Sequence, residues 1–258
     1  MKKLFIGVSG WAYPHWRGIF YPKNLKPKEE LKYFSHYFKT VEVNYSFYRL
    51  PEPAVYKNWY SQTPGNFLFA VKASRFITHI KRLKDVRKPW SEFLKNASNL
   101  KEKLGPILFQ FPPNFKATKE NIRRLETFLC YSHKTLRNNN TMALLLRLAM
   151  EFRNETWRNE KIYEILRKYN TACVIADSPR YPKVEVITAD FVYIRMHGGE
   201  ILYGSNYSKK ELKDWAERIK KYLKQKLDVF CYFNNDLEGY ALGNAKTLID
   251  FFKIETSL

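Results

Sequence analysis

Short apolar runs and segments with helical spacing alternate along the chain, and this alternation limits the fold more than any other feature. The runs predict strands, and the segments that follow predict helices. Strands are predicted at Leu4–Ser9, Thr40–Asn44, Asn66–Lys72, Gly105–Phe111, within Ala143–Phe152, and at Thr171–Ala176, Phe191–His197 and Leu227–Phe233. Helices are predicted at Pro27–Phe38, Pro53–Tyr60, Trp90–Leu104, from Thr118 onward, at Trp157–Tyr169, after a capping box of Ser208 and Glu211, and at Tyr240–Phe252.

About eight strand–helix units in a chain of 258 residues match the size and rhythm of a TIM barrel. We therefore predict one α/β domain over residues 1–258, a (β/α)8-type barrel. A doubly wound open sheet is the alternative, but neither GxGxxG nor GxxxxGK[ST] occurs in the sequence. Residues 178–190 contain two prolines, so the crossover between strands six and seven is predicted to be irregular. A polar loop is predicted at Tyr131–Thr141, which includes the run Asn138–Asn140.

The formal charge of +20 and the pI of about 9.7 favour binding of polyanions. A Lys-rich solvated surface explains the same composition equally well. The apolar run after the basic start is too short for a signal peptide, and no segment is long enough to cross a membrane. We expect a cytoplasmic protein without a membrane partner. The sequence does not indicate an oligomeric state.

Polar residues follow one predicted strand after another, at the positions that form the catalytic face of a TIM barrel. An interior without a ligand is usually filled by branched aliphatic side chains, so repeated polar strand ends predict a site. As catalytic residues we predict Glu42, Glu151 and His197. As substrate-binding residues we predict Ser9, Trp11, Tyr13, Asn44, Tyr48, Lys72, Thr78, His79, Gln110, Arg153, Trp157, Asp177, Arg195, Tyr203, Asn234, Asn235 and Asp236.

Three pairs of these residues are two positions apart and should face the same side of their strands. They are Glu42 with Asn44, Glu151 with Arg153, and Arg195 with His197. The glutamates and the histidine could move protons, and the cations could neutralise an anionic substrate. A structural ion-pair network, in which Glu42 only neutralises Arg195 or Lys72, is the alternative interpretation.

Metal and nucleophile motifs are absent from the sequence. There is no HExxH, no GxSxG turn and no CxxC, and the three cysteines have no metal-like spacing. Lysine and arginine near the predicted carboxylates would also compete with a metal ion for them. We predict no metal site, and the sequence does not indicate a cofactor.

Eight segments of the chain resemble the YecE-like proteins, known as domain of unknown function seventy-two. They are GVSGWAYPHWRGIFYP, FKTVEVNYSFYRLP, FLFAVKASRFITH, LGPILFQFPPNF, EFRNETW, YIRMHGG, LYGSNYSKKELKDWAERI and FNND. They span nearly the whole chain in order. The resemblance implies a TIM barrel, and it assigns no activity because none is established for the family.

Three functions fit these observations. The first is an enzyme that acts on a phosphate- or carboxylate-bearing small molecule at the carboxyl ends of the strands, by acid/base chemistry of a hydrolase, lyase or isomerase kind. The second is a nucleic-acid-binding or phosphodiester-processing protein that uses its basic surface. The third is a small-molecule binding protein without turnover.

Overall fold

Parallel strands alternate with helices throughout the chain, as the sequence predicts. The computed structural model describes residues 3–137 and 146–253. The strands are β1 (Leu4–Val8), β2 (Thr40–Val43), β3 (Leu68–Lys72), β4 (Leu104–Gln110), β5 (Leu148–Glu151), β6 (Ala172–Cys173), β7 (Ile175–Asp177), β8 (Phe191–Met196) and β9 (Asp228–Phe233). The helices are α1 (Glu30–Ser35), α2 (Tyr45–Tyr48), α3 (Pro53–Gln62), α4 (Arg87–Ala97), α5 (Lys119–Arg137), α6 (Glu160–Lys168), α7 (Lys209–Lys224) and α8 (Tyr240–Lys253).

The strands form two parallel sheets, with the orders β1-β9-β8-β7 and β2-β3-β4-β5-β6. A bridge links the two sheets at one edge, and the chain itself links them at the other. At one edge an isolated bridge joins Ser9 to Glu42, and the Gly10 amide donates to the Glu42 carbonyl at 2.8 Å. At the other edge β6 pairs with β5 and β7 pairs with β8, and only Val174 separates β6 from β7. The carboxyl ends of all the strands therefore point to one side of the molecule.

Two hydrophobic clusters lie on opposite faces of the strands. The larger cluster packs the strands against the helices. The smaller cluster takes residues from both sheets, among them Phe5, Ala70, Leu108, Tyr193 and Tyr232. Because side chains alternate between the two faces of a strand, each strand is buried on both sides, which explains its nearly continuous apolar sequence.

Several predicted boundaries change in the structure. The helix predicted at Trp90–Leu104 ends at Ala97, and a 3-10 segment leads into β4. The loop predicted from Tyr131 is wrong up to Arg137, because α5 continues to that residue, and Asn138–Asn140 lie outside the described residues. The irregular crossover is confirmed: residues 178–190, all of them described, contain no helix.

Helix starts agree better with the sequence. The capping box is confirmed, since the Ser208 hydroxyl accepts from the Glu211 amide and the Glu211 carboxylate accepts from the Ser208 amide. The Thr118 hydroxyl accepts from the Asn121 amide at the start of α5. None of the helices in the described ranges has the length and apolar character that crossing a membrane requires.

Candidate functional site at the carboxyl ends of the strands

The pleat of the strands brings polar side chains together at their carboxyl ends. A residue that lies two or four positions after a member of the smaller cluster, on the same strand, faces the same side as that member. Glu42 lies two positions after Thr40. The Thr40 hydroxyl lies 2.7 Å from the hydroxyl of Tyr232, which is a member of the cluster. The other strand-end residues in phase with the cluster are Ser9, Lys72, Gln110, Glu151, Arg195 and Asn234. The same alternation that builds the core therefore builds the site.

Arg195 is the centre of this group, and its side chain has no solvent exposure. Its guanidinium forms a fork on Glu42, with Nε at 2.9 Å from Oε2 and Nη2 at 2.7 Å from Oε1. Its Nη1 donates to Glu151 Oε2 at 2.6 Å. Ser9 Oγ and the Tyr193 hydroxyl complete the shell of Glu42 at 2.7 and 2.8 Å. Glu42 thus accepts four hydrogen bonds. These contacts agree with the alternative interpretation, in which Glu42 neutralises Arg195 in a structural ion-pair network.

Glu151 joins Arg195 to a second arginine. Arg153 Nε donates to Glu151 Oε1 at 2.6 Å, and the Arg153 guanidinium carbon lies 4.1 Å from the centre of the Tyr181 ring. The terminal N–H groups of Arg153 make no hydrogen bond to any residue that the structure describes. They are therefore available to a ligand, whereas the Arg195 guanidinium is engaged at all three nitrogens.

The carboxylates are held in the ionised form. Burial raises the pKa of Glu42, but the guanidinium of Arg195 more than offsets this, so the pKa lies below its ordinary value. Burial likewise opposes ionisation of Glu151, and Arg153 together with Arg195 holds its pKa well below the ordinary value. Two carboxylates therefore balance two guanidinium groups, and none of the four side chains is more than 9% exposed.

Lys72 lies beside this balanced network without a counter-ion. Its relative exposure is 8%, and its Nζ lies 4.3 Å from the centre of the Phe47 ring. Among the described residues, no carboxylate lies within ion-pair distance of Nζ and no acceptor lies within hydrogen-bond distance of it. Burial, followed by repulsion from Arg195, lowers the pKa of Lys72 to about 7. The amine is therefore close to half-protonated at neutral pH.

His197 places an unpaired nitrogen next to Glu151. Its Nε2 is buried, lies 3.7 Å from Glu151 Oε1 and has no hydrogen-bond partner in the described chain. Its Nδ1 lies 3.3 Å from the Asn234 side-chain nitrogen, and its ring packs edge-on against Tyr203 at 5.3 Å. Burial and then repulsion from Arg195 lower the pKa of His197, so the imidazole is neutral at pH 7.

His79 reaches the same region from a π-helical turn at Phe76–Ile80. Its Nδ1 lies 2.9 Å from the Thr78 hydroxyl, and its ring packs edge-on against Phe47 at 4.9 Å. Burial, followed by the charge of Lys72, lowers the pKa of His79 to about 4. Phe47 thus lies against both Lys72 and His79.

Of the three predicted pairs with two-residue spacing, two lie with both members in the network of Glu42, Glu151, Arg153 and Arg195 or in contact with it. In the third pair, only Glu42 belongs to the network. Glu151 with Arg153 and Arg195 with His197 lie together. Asn44 does not join Glu42, because its backbone is already helical at the start of α2. The Asn44 side chain lines a separate cavity of about 410 Å³ instead. Trp11 and Tyr13 line the same cavity, and Asn44 Oδ1 has no partner within the described residues.

Other predicted residues lie apart from the network. Asp177 is out of phase with the smaller cluster and accepts from Tyr207 and Trp215 on the helix side. Trp157 stacks on Phe152 at 4.3 Å. Four further predicted residues also lie apart from the network: Tyr48, Gln110, Asn235 and Asp236. Tyr48 is 78% exposed, and the Gln110 side-chain amide donates to the Phe111 carbonyl at 3.4 Å. The Asn235 side-chain amide donates to Ser205 and Asn244, and Asp236 accepts from Trp16 and pairs with His15.

Three residues of this region were missed by the sequence analysis. Tyr193 donates to Glu42, and its two-residue spacing from Arg195 is a signal that could have found it. Tyr181 stacks on Arg153 from the crossover without a helix, where no periodicity indicates which side chains turn inward. His15 pairs with Asp236 at 3.0 Å from a 3-10 turn at Pro14–Trp16, and its place within the segment GVSGWAYPHWRGIFYP is a signal that could have found it.

A metal cluster is not formed by the residues that are described: no three His, Cys, Asp or Glu side chains are placed to hold an ion. In the network itself, Glu42 and Glu151 already accept hydrogen bonds from guanidinium groups on both oxygens.

A sequence model of the family described as "Protein of unknown function DUF72" matches residues 5–258. The chain is 27% identical to the protein YunF of Bacillus subtilis, over 98% of this chain and 96% of YunF. It is also similar to the crystal structure of a DUF72 family protein from Thermotoga maritima, with a TM-score of 0.83, 29% identity, and coverage of 97% of this chain and 99% of that one.

A more distant likeness concerns the fold alone. The crystal structure of an AP endonuclease, family 2, from Brucella melitensis matches with a TM-score of 0.55 and 10% identity, over 98% of both chains. This places the alternation of parallel strands and helices among TIM-barrel-like folds. The resemblance found in the sequence is confirmed by the match over residues 5–258, and the chain belongs to the family of proteins of unknown function DUF72.

Proposed function

We propose that this protein is an enzyme that binds an anionic small molecule, bearing a phosphate or a carboxylate, at the carboxyl ends of its strands. The observation that carries the proposal is the amine of Lys72. Glu42 and Glu151 are balanced by Arg195 and Arg153, so protonated Lys72 leaves one uncompensated positive charge. A buried cation without a partner is unfavourable, and an anionic ligand relieves it.

The proposed roles follow from which groups are already engaged. Lys72 and the free N–H groups of Arg153 bind the anion, and Glu42 holds Arg195 in place because all its acceptor sites face donors. The unpaired Nε2 of His197, beside Glu151, is the group that exchanges a proton with the substrate. The Tyr181 ring lies against Arg153, and the Tyr203 ring lies against His197.

Calorimetric titration with sulfate and with oxalate tests this proposal, because both probes keep their charge between pH 6 and pH 8. The expected result is saturable binding that weakens roughly 10-fold from pH 6 to pH 8, as Lys72 loses its proton. Lys72→Met is expected to abolish this pH dependence and most of the affinity. Lys210→Met, which removes an exposed lysine, serves as the control. Equal binding by the parent and Lys72→Met would contradict the proposal.

A single closed barrel is the fold that we propose for the two sheets, in one domain of a cytoplasmic protein. The bridge between Ser9 and Glu42 joins one pair of edges, and the continuous segment of β6 and β7 joins the other. With β6 and β7 as one position, the chain has the eight positions of a TIM barrel. The smaller cluster, which takes residues from both sheets, would fill the interior.

Gly7→Ala tests the close approach of β1 to β2. A Cβ on Gly7 would lie 2.4 Å from the Thr40 carbonyl oxygen, which belongs to the backbone and cannot move aside cheaply. The expected result is a loss of about 1–3 kcal/mol in the free energy of unfolding, measured by urea denaturation. Gly65→Ala is the matched control, since no atom lies within 4 Å of its added Cβ. Equal stability of the two variants would mean that β1 and β2 do not approach in this way.

Nucleic-acid binding is a second candidate, favoured by exposed aromatic side chains near cations. Tyr45, Tyr48 and Phe76 are exposed, and Lys81 Nζ lies 5.7 Å from the centre of the Phe76 ring. Stacking rings beside cations is the usual arrangement for single-stranded nucleic acid. Titration with a short single-stranded RNA at physiological salt separates the candidates. Tight binding that Lys72→Met retains and Phe76→Ser loses would favour this second function.

A further inference from the structure

Among the residues that the structure describes, two lysines, Lys72 and Lys103, have side chains that are buried near strand ends, and their surroundings differ. Lys103 is 3% exposed, and its Nζ donates to the carbonyls of Tyr60 and Thr63 at 2.6 and 2.7 Å and to the Thr63 hydroxyl at 3.2 Å. Lys72 is almost as buried, yet no acceptor in the described chain lies within reach of its Nζ. Lys103 is therefore held as a structural cation, while the Lys72 amine is left available for chemistry.

Burial and the guanidinium groups of Arg195 and Arg153 favour the neutral amine of Lys72. They outweigh the charges of Glu42 and Glu151 and the face of the Phe47 ring, which favour the protonated form. Both desolvation and a neighbouring cation activate a lysine as a nucleophile, because the unprotonated amine carries the reactive lone pair. Arg153 retains N–H groups that can hold a substrate's anionic end beside this amine.

Resting on the proposed function, we propose that Lys72 forms a Schiff base with an aldehyde or ketone that carries a carboxylate or a phosphate. The Nζ lone pair attacks the carbonyl carbon, and the C=O π electrons move to oxygen. A proton moves from nitrogen to that oxygen to give the carbinolamine. Water then leaves as the C=N bond forms, so the step needs no oxidant, reductant or cofactor.

Glyoxylate with sodium cyanoborohydride tests this inference on the full chain at pH 7, since the reductant fixes the imine as a stable secondary amine. The modified residues are identified by mass spectrometry of peptides after short reaction times. At pH 7 the neutral fraction of Lys72 exceeds that of an ordinary exposed lysine by about 10³-fold. Allowing for restricted access, we expect Lys72 to be modified at least ~10-fold faster than exposed Lys210. Lys103 is expected to remain unmodified.

The outcomes separate this inference from the proposed function. Modification of Lys72 that is fast, and slowed by sulfate, supports both. Modification of Lys72 no faster than Lys210 overturns the Schiff base, whereas sulfate binding in the titration above still supports the anion site. Uncharged acetaldehyde is the matched probe, because without a carboxylate it should lose most of the preference for Lys72. An equal preference with acetaldehyde would contradict a site that selects carbonyl compounds by their charge.

Discussion

Arg195→Met is expected to lower the free energy of unfolding by about 3–5 kcal/mol at pH 7, measured by urea denaturation. The substitution leaves the buried Glu42 with no guanidinium partner and only the charge of Lys72 nearby, while Glu151 keeps only Arg153. Breaking a buried ion pair on one side is more harmful than removing both partners, since the remaining charge stays desolvated. This is the largest loss of stability that the network predicts.

The matched control is Arg218→Met, which breaks the half-exposed pair between Arg218 and Glu185. Its expected effect is at most ~1 kcal/mol, because solvent screens the pair. The loss in Arg195→Met should also depend on pH. Glu42 has a lowered pKa in the parent, so its contribution to stability is complete above the ordinary carboxyl pKa and is lost as the pH falls through the folded value. The difference between parent and variant should therefore shrink toward pH 4, and a difference that grows there would contradict the account.

Lys72→Met is expected to raise the free energy of unfolding, although it is also expected to weaken anion binding. The folded protein lowers the pKa of Lys72 to about 7, so below that pH the native state holds a buried charge that the unfolded chain keeps in water. Between pH 7 and the ordinary lysine pKa, the unfolded state binds more protons, and the stability of the parent rises with pH. The variant lacks this dependence. Its advantage over the parent should therefore shrink by about 3 kcal/mol from pH 6 to pH 9.

The reference for this comparison is Lys210→Met, which removes an exposed lysine together with its exposed pair to Asp214. The comparison of variant with parent also removes other groups that titrate in this range. A Lys72→Met protein less stable than the parent at pH 6 would show that the amine has a stabilising partner. A more stable variant that has lost anion binding is the pattern expected of a residue kept for function.

The sequence predicted which side chains meet at the centre of the candidate site, because strand periodicity is regular up to the strand ends. Arg195 lies two residues after Tyr193 and His197 two residues later, so alternation alone places all three on one face. Glu151 and Arg153 follow the same rule. These positions depend only on the two-residue repeat of a strand, which can be read from sequence without knowledge of the loops.

The remaining positions depend on where a strand stops and how the chain then turns. Asn44 was assigned by alternation beyond the end of β2, where the backbone has become helical. Asp177 lies at the end of β7 and faces the helices. The sequence did not predict this, because β6 and β7 are too short to show which residues share a face. Tyr181 lies in a crossover without periodicity, so only the folded chain shows that its ring covers Arg153. The order of strands and helices could be predicted because their sequences are periodic, whereas the loops have no periodicity to read.

The hydrogen bonds also bear on the roles that the sequence suggested. Glu42 was predicted to be catalytic, and the four donors around it favour the alternative interpretation, in which it pairs with Arg195. Lys72 was predicted only as an anion-binding cation, and its lack of a partner makes it the reactive candidate. Residue types at strand ends indicate a site, whereas the hydrogen bonds show which members are free to act.

Direct titration of the Lys72 amine tests the central claim, that this buried lysine is the unpaired cation of the site. The measurement is nuclear magnetic resonance of protein with isotope-labelled lysine side chains, with the Lys72 signal assigned by its absence from Lys72→Arg. We expect the Lys72 amine to have a pKa of about 7, lowered by burial and by Arg195, and we expect this pKa to rise when sulfate is added. A pKa near that of an ordinary lysine, unchanged by sulfate, would contradict it.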